Sequence, residues 1–199
     1  SFRPNEEAEE DGSITGRRFL LGTGSKRRQL QAQVYWKNVD CRLIRGNVDT
    51  RLQKLRNGMY DGILLAKAGL DRLGIGFGTE DEFDFYPMPA RQFLPAACQG
   101  ILAAEYREEW EFGEMLSQLS DFGTELDFCV EREVLRLLGV DCSEAVAAWC
   151  RETDDGLCLD VMYGGHKIWI QTKERSRQAG LLAAKEATER VRAEWKQDM

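Results

Sequence analysis

The sequence predicts an α/β domain with a parallel or mixed sheet, followed by a small α+β domain built on a three-stranded antiparallel sheet. Three observations carry this reading. In the first part of the chain, short apolar runs alternate with helix-like runs, the rhythm of right-handed crossovers in a parallel sheet. A composition break falls at Ser120–Gly123. Beyond it, one amphipathic stretch precedes three strand-like runs joined by tight glycine turns, which is the pattern of antiparallel hairpins.

Taken in order, Ser1–Gly12 is rich in Glu and poor in large apolar residues, so residues 1–12 read as a disordered lead-in. Phe19–Leu21 predicts a short strand and Ser25–Val34 a helix. Cys41–Ile44 predicts a second strand, and Val48–Asn57 a second helix that Asn57-Gly58 stops. Gly62–Ala66 reads as a buried strand and Ala68–Leu73 as a third helical turn, while Gly74–Met88 is loop-like. Pro89–Gly100 reads as a turn, Ile101–Tyr106 as an apolar strand and Glu108–Leu119 as a short mixed helix. After the break, Leu126, Cys129, Val130, Val134, Leu137 and Leu138 mark a helix over Thr124–Leu138, stopped by Gly139. Strands are expected at Ala145–Cys150, Leu157–Tyr163 and Lys167–Thr172, turned by Asp154-Asp155-Gly156 and Gly164-Gly165. A charged helix, Gln178–Trp195, follows, and its Lys185, Glu186, Glu189, Arg190 and Arg192 read as an exposed salt-bridged face.

Composition narrows the function. Apolar residues make up 43% of the 199, enough for a real core, and the formal net charge is -7. That acidic balance argues against a broad nucleic-acid surface, which needs clustered positive charge. No apolar run approaches the roughly 20 residues of a membrane-spanning helix, and no signal-peptide pattern opens the chain. Six cysteines include no C-x-x-C pair and His166 is the single histidine, so no metal site is expected. The expectation is a cytoplasmic protein with reduced thiols. Cys129 and Cys158 fall on apolar faces, Cys142 in a loop, and His166 reads as a solvated turn residue.

The positive charge that exists is local. Gly22-Thr23-Gly24-Ser25-Lys26-Arg27-Arg28-Gln29 is answered by Arg45-Gly46-Asn47-Val48-Asp49-Thr50-Arg51, each where a strand gives way to a helix. Free N–H groups at a helix N-terminus, with guanidinium forks beside them, suit a carboxylate or a phosphate. Arginines at such a terminus oppose the helix dipole by several tenths of a kcal/mol, roughly, unless an anion reverses the sign. Ligands of parallel sheets sit beyond the carboxyl ends of the strands, where both runs lie. The first corner lacks the G-x-x-x-x-G-K-[ST] spacing of a P-loop, and a dinucleotide fingerprint is absent.

These two runs continue into Leu52-Gln53-Lys54-Leu55, Tyr60-Asp61-Gly62-Ile63-Leu64-Leu65-Ala66 and Ala68-Gly69-Leu70-Asp71-Arg72-Leu73, then Leu94-Pro95-Ala96-Ala97-Cys98-Gln99-Gly100 and Cys142. In order and spacing over most of residues 14–142, they resemble the second domain of the hydroxymethylbilane synthase (porphobilinogen deaminase) family and the start of its third. The resemblance implies a first domain of periplasmic-binding-protein type here, residues 13–120, including a return strand, and a cofactor-anchoring domain, residues 121–199. It implies an enzyme that condenses four porphobilinogen units into a linear tetrapyrrole with release of ammonia. A dipyrromethane cofactor would be held by a thioether to Cys142. Thr23, Ser25, Arg27, Arg28, Arg45, Asn47, Arg51 and Arg72 would bind the carboxylates of cofactor and substrate.

The family's catalytic aspartate lies in a Lys/Arg-Asp-Val-Pro motif of a domain expected before residue 1, so no catalytic residue is assigned here and the chain alone is expected to be inactive. The expected partners are porphobilinogen and its oligomers together with that first domain, and the full-length protein is expected to be a monomer that binds neither nucleic acid nor membrane. Around Cys142 the sequence departs from the family: Val140-Asp141 stand where Gly-Gly is usual, and Glu144-Ala145-Val146 follow. These acids motivate an alternative, a non-catalytic diverged binding module for a small polycarboxylate. A phosphate-binding domain is a further alternative.

Overall fold

A computed structural model describes residues 18–75, 83–107, 109–140 and 144–197. Its packing divides the chain into two compact units, Ser1–Pro89 and Ala90–Met199. Residues 90–120, grouped with the first domain by the sequence reading, thus fall in the second unit. The expected lead-in, Ser1–Gly12, lies outside the described residues.

In the first unit, strands β1 (Phe19–Gly22), β2 (Val39–Arg42) and β3 (Gly62–Ile63) alternate with helices α1 (Lys26–Tyr35), α2 (Val48–Arg56) and α3 (Lys67–Arg72). The sheet is parallel in the order β2-β1-β3, as the alternation predicts. Leu21 pairs with Cys41 on one side and Gly62 on the other, so the three strands end together. Gly22 and Gly62 make this possible: a Cβ on the first would reach within 2.9 Å of the Tyr60 ring, and on the second within 2.8 Å of the Phe19 ring. Leu21, Ala32, Val39, Ile44, Leu52 and Leu70 are buried.

The second unit holds α4 (Gly113–Ser117), α5 (Phe122–Leu138), β4 (Val146–Thr153), β5 (Gly156–Tyr163), β6 (His166–Gln171) and α6 (Arg177–Gln197). The sheet is antiparallel in the order β4-β5-β6, with hairpins at the predicted turns; Gly156, Gly164 and Gly165 all have positive φ there. Strand alternation sends Val146, Ala148, Cys150, Leu157, Leu159, Val161, Ile168 and Ile170 to one face, against α5 and α6. Gly180 lets α6 approach α5, because a Cβ there would overlap Val130 Cγ2. Asp121 caps α5 by accepting the Thr124 N–H at 2.8 Å, and Gly139 ends it at φ 65.

Three expectations need correction. Ile101–Tyr106 forms no strand: no described strand lies beside it, and without a partner its backbone donors and acceptors cannot form a ladder. Leu102 there is 98% exposed. The helix expected over Glu108–Leu119 shrinks to α4, because Trp110 and Gly113 close turns onto Arg107 and Trp110 at 2.9 and 3.0 Å. His166 is half-buried rather than solvated, with Nδ1 3.7 Å from Glu194 Oε2. On the exposed face of α6, Arg190 pairs with Glu186 at 3.4 Å as expected, and Arg192, also exposed, donates to Leu138 O at 2.9 Å.

Cys158 is buried, but on the sheet face opposite the helices. There it accepts from Arg151 Nη2 at 3.0 Å, while Arg151 Nη1 pairs with Asp160 at 2.6 Å. Among the described residues, no helix is long and apolar enough to cross a membrane, and no group of three His, Cys, Asp or Glu could hold a metal ion.

Candidate anion-binding site

The carboxyl ends of β1, β2 and β3 carry the predicted corners. Thr23, buried, follows β1 and donates its N–H to Arg42 O at 2.9 Å, which holds the first turn against the end of β2. Its hydroxyl accepts the Ser25 N–H at 3.3 Å. Ser25 is extended, at φ -106, and its Oγ accepts the Arg28 N–H at 3.4 Å as the N-cap of α1. Between them, a Cβ on Gly24 would stand 3.2 Å from Ile44 O, so the two corners approach backbone to backbone.

The second corner is built the same way. Asn47 caps α2, accepting from the Thr50 N–H at 2.9 Å and its hydroxyl at 2.7 Å. Arg51, in the first turn of α2, donates Nε to Gly46 O at 2.8 Å, and Lys54 donates Nζ to Arg45 O at 2.9 Å. Gly46 sits at φ +117, and a Cβ would lie 2.6 Å from Thr50 Cγ2. Gly46→Ala is therefore expected to destabilise the unit by about 1–3 kcal/mol, read as a lower urea midpoint, and to loosen the Asn47 cap.

Arg28 reaches from the first corner to the end of β3. Its Nη1 donates to Leu64 O at 3.2 Å, just past β3, and its charge feels that of Arg51. Burial, then Arg51, lowers its guanidinium from the ordinary value. Arg27 is 7% exposed, and burial, reinforced by Arg28, lowers it to about 10. Three cations are thus gathered at two helix N-termini, where the dipole also disfavours them. An anion with several charged oxygens relieves all of these terms at once.

Thr23, Ser25, Arg27 and Arg28 share the first corner, and Asn47 and Arg51 the second. Arg45 is exposed in the loop that enters α2. Arg72 is exposed at the C-terminal end of α3, where a cation suits the helix dipole without any ligand. Cys142 lies outside the described residues. Three further contacts escaped the sequence reading: Leu64 O as the seat of Arg28, Lys54 on Arg45 O, and Tyr60, whose hydroxyl donates to Leu43 O at 2.9 Å and braces the second corner. Their partners are distant in sequence or are backbone carbonyls, which no motif marks.

The unit is a parallel α/β sheet with two arginine-flanked helix caps beyond its strand ends, an arrangement suited to an anion. A family model described as "Porphobilinogen deaminase, dipyromethane cofactor binding domain" matches residues 9–113. The chain is 40% identical over 144 residues to the porphobilinogen deaminase of Streptococcus sanguinis (strain SK36), covering 72% of this chain and 46% of the relative. It is 39% identical over 130 residues to the probable porphobilinogen deaminase of Archaeoglobus fulgidus, covering 65% and 43%. With the porphobilinogen deaminase of Lachnospira eligens it shares 40% identity over 149 residues, covering 73% and 49%. The chain belongs to the porphobilinogen deaminase family. It spans about half the length of these curated relatives.

Proposed function

We propose that this chain supplies carboxylate recognition and cofactor attachment in a hydroxymethylbilane synthase, which joins four porphobilinogen units into a linear tetrapyrrole with release of ammonia. The observation that carries the proposal is the convergence of Arg27, Arg28 and Arg51 at the ends of the three parallel strands. Each pyrrole of such a chain bears an acetate and a propionate, so a growing product brings repeated carboxylates to paired guanidinium forks.

In this reading residues 13–120 correspond to the family's second domain and the segment that returns from it, and residues 121–199 to the third. Cys142 would carry dipyrromethane through a thioether. The donor set fits that group: crowded, partly desolvated guanidiniums and capped helix N-termini favour an anion with several carboxylates over a single small ion. Arg27, Arg28 and Arg51 would hold its side chains, with Thr23, Ser25, Arg45, Asn47 and Arg72 completing the shell. When bound, the group supplies the anchored pyrrole end to which further units are added. The chain's own residues bind and orient; the aspartate that would stabilise developing positive charge belongs to the family's first domain, so these residues alone would not turn over porphobilinogen. The enzyme would act as a cytoplasmic monomer.

Denaturing mass spectrometry of the polypeptide carrying these residues, purified from its own cells, tests the anchoring role. The expected result is a dipyrromethane adduct on the peptide containing Cys142, absent in Cys142→Ala. A peptide of unmodified mass would remove that role and favour a polycarboxylate-binding module, the reading that Asp141 and exposed Glu144 beside the cysteine support.

A further inference from the structure

Glu131, on α5, is 4% exposed, and among the described residues no cation is one of the groups that shift its carboxyl. Its two oxygens each take one backbone N–H from a different segment. Oε1 accepts from Cys150 of β4 at 2.8 Å, and Oε2 accepts from Cys98 in the Leu94–Gly100 loop. Cys98 has φ 59, the left-handed region that a non-glycine residue avoids, and it heads a turn in which the Ile101 N–H donates to its carbonyl at 3.3 Å. One buried carboxylate thus fastens a strained loop residue to the edge of the sheet.

The ionised carboxylate serves both donors with full acceptor strength. Protonation turns one oxygen into a hydroxyl, a poorer acceptor whose own proton also needs room and a partner, so one of the two N–H bonds is weakened. Cys150 lies in the middle of a buried strand, whereas Cys98 is half-buried in a loop with exposed Gln99 and Gly100 beside it. The bond to Cys98 is the one that can open.

We propose that Glu131 is a proton-controlled latch: ionised, it ties the Leu94–Gly100 loop to α5 and β4, and protonated, it releases the loop.

The groups around it set the working range. Burial raises the Glu131 carboxyl, the two N–H bonds pull it down and Asp127 one turn away pushes it up, leaving it at about 7. Asp127 itself is raised by burial, accepts from the Cys150 thiol, and keeps one buried oxygen without a partner. From the loop, Cys98 faces Glu131 and has its thiol raised to about 11 by burial and then by Glu131, with Arg132 and Cys129 as weaker influences. From β4, the Cys150 thiol is raised by burial, then by Asp127. The buried residues of α6 are Gly180, Ala183, Ala184, Ala187, Thr188 and Val191, none of which titrates in this range. Because the folded value lies above the ordinary 4.5, the folded chain holds this proton over the window from 4.5 to about 7. The stability due to this group is therefore full below 4.5 and declines as pH rises through 7, while the loop becomes more tightly held.

The test is an NMR titration of the full 199-residue chain between pH 5.5 and 8.5, following the Glu131 side-chain carboxyl carbon and the Cys98 and Cys150 amides. The carboxyl carbon and the Cys98 amide should titrate together near pH 7, and Cys98 amide protection, corrected for intrinsic exchange, should fall by roughly tenfold on the acid side, the equivalent of one lost hydrogen bond. In Glu131→Gln, which keeps one acceptor and so mimics the acid form, the Cys98 amide should be weakly protected at every pH with no titration. A Cys98 amide that stays flat across the range in the wild-type chain would overturn the proposal. So would a titration that persists in Glu131→Gln. The wild-type measurement decides the matter even if that variant does not fold.

Discussion

Arg28→Gln is expected to weaken binding of a pyrrole polycarboxylate by tenfold or more, since a charge-assisted hydrogen bond contributes about 1.5–3 kcal/mol. Arg28 is the side chain that spans the first corner and the end of β3, through Leu64 O, and it also senses Arg51. Gln retains a donor for Leu64 O but brings no charge and no fork. The unliganded fold should change little, because relief of repulsion from Arg51 offsets a weakened bond to Leu64. Calorimetric titration reads the first effect and thermal unfolding the second. Arg28→Lys sharpens the comparison: it keeps the charge and loses the bidentate geometry, so binding should fall between wild type and Arg28→Gln. Equal affinity in all three proteins would show that Arg28 does not hold the ligand.

Leu157→Ala is expected to cost about 2–5 kcal/mol, a large part of the roughly 5–15 kcal/mol that keeps a domain folded. Leu157 is 1% exposed near the start of β5. Its Cδ1 lies 3.3 Å from where a Cβ on Gly180 would stand, in the layer where α6 presses on α5 and the sheet. Because Gly180 lacks a side chain to move into the space, the cavity would remain open. Urea unfolding followed by circular dichroism should show a markedly lower midpoint. A shift below about 1 kcal/mol would mean that the layer relaxes more freely than its packing indicates.

The elements that follow local rules were legible in the sequence. Ser25 and Asn47 cap α1 and α2, Gly139 ends α5, and Gly164-Gly165 turns β5 into β6. In each case a few neighbouring residues determine the geometry. Ile101–Tyr106 failed for the opposite reason: its apolar pattern suits a strand, but a strand also needs a neighbour, and alternation cannot supply one. Glu131 was hidden in the same way. On α5 it reads as one charge among Glu133, Arg132 and Arg136, and only folding brings Cys98 and Cys150 to its oxygens. The anion corners lie between these cases. Their glycines, caps and arginines can be read locally, but the reach of Arg28 to Leu64 and of Tyr60 to Leu43 depends on the parallel register of β1 and β3.

The central claim is that the two corners form a clamp for the carboxylates of a pyrrole chain. It is tested most directly by titrating the full chain with a dipyrromethane polycarboxylate in the calorimeter, alone and in the presence of inorganic phosphate. Saturable binding that phosphate fails to displace at matched concentration, and that Arg28→Gln weakens by roughly tenfold or more, is the expected result. Absence of binding, or displacement by phosphate as effective as by the polycarboxylate itself, would contradict the claim.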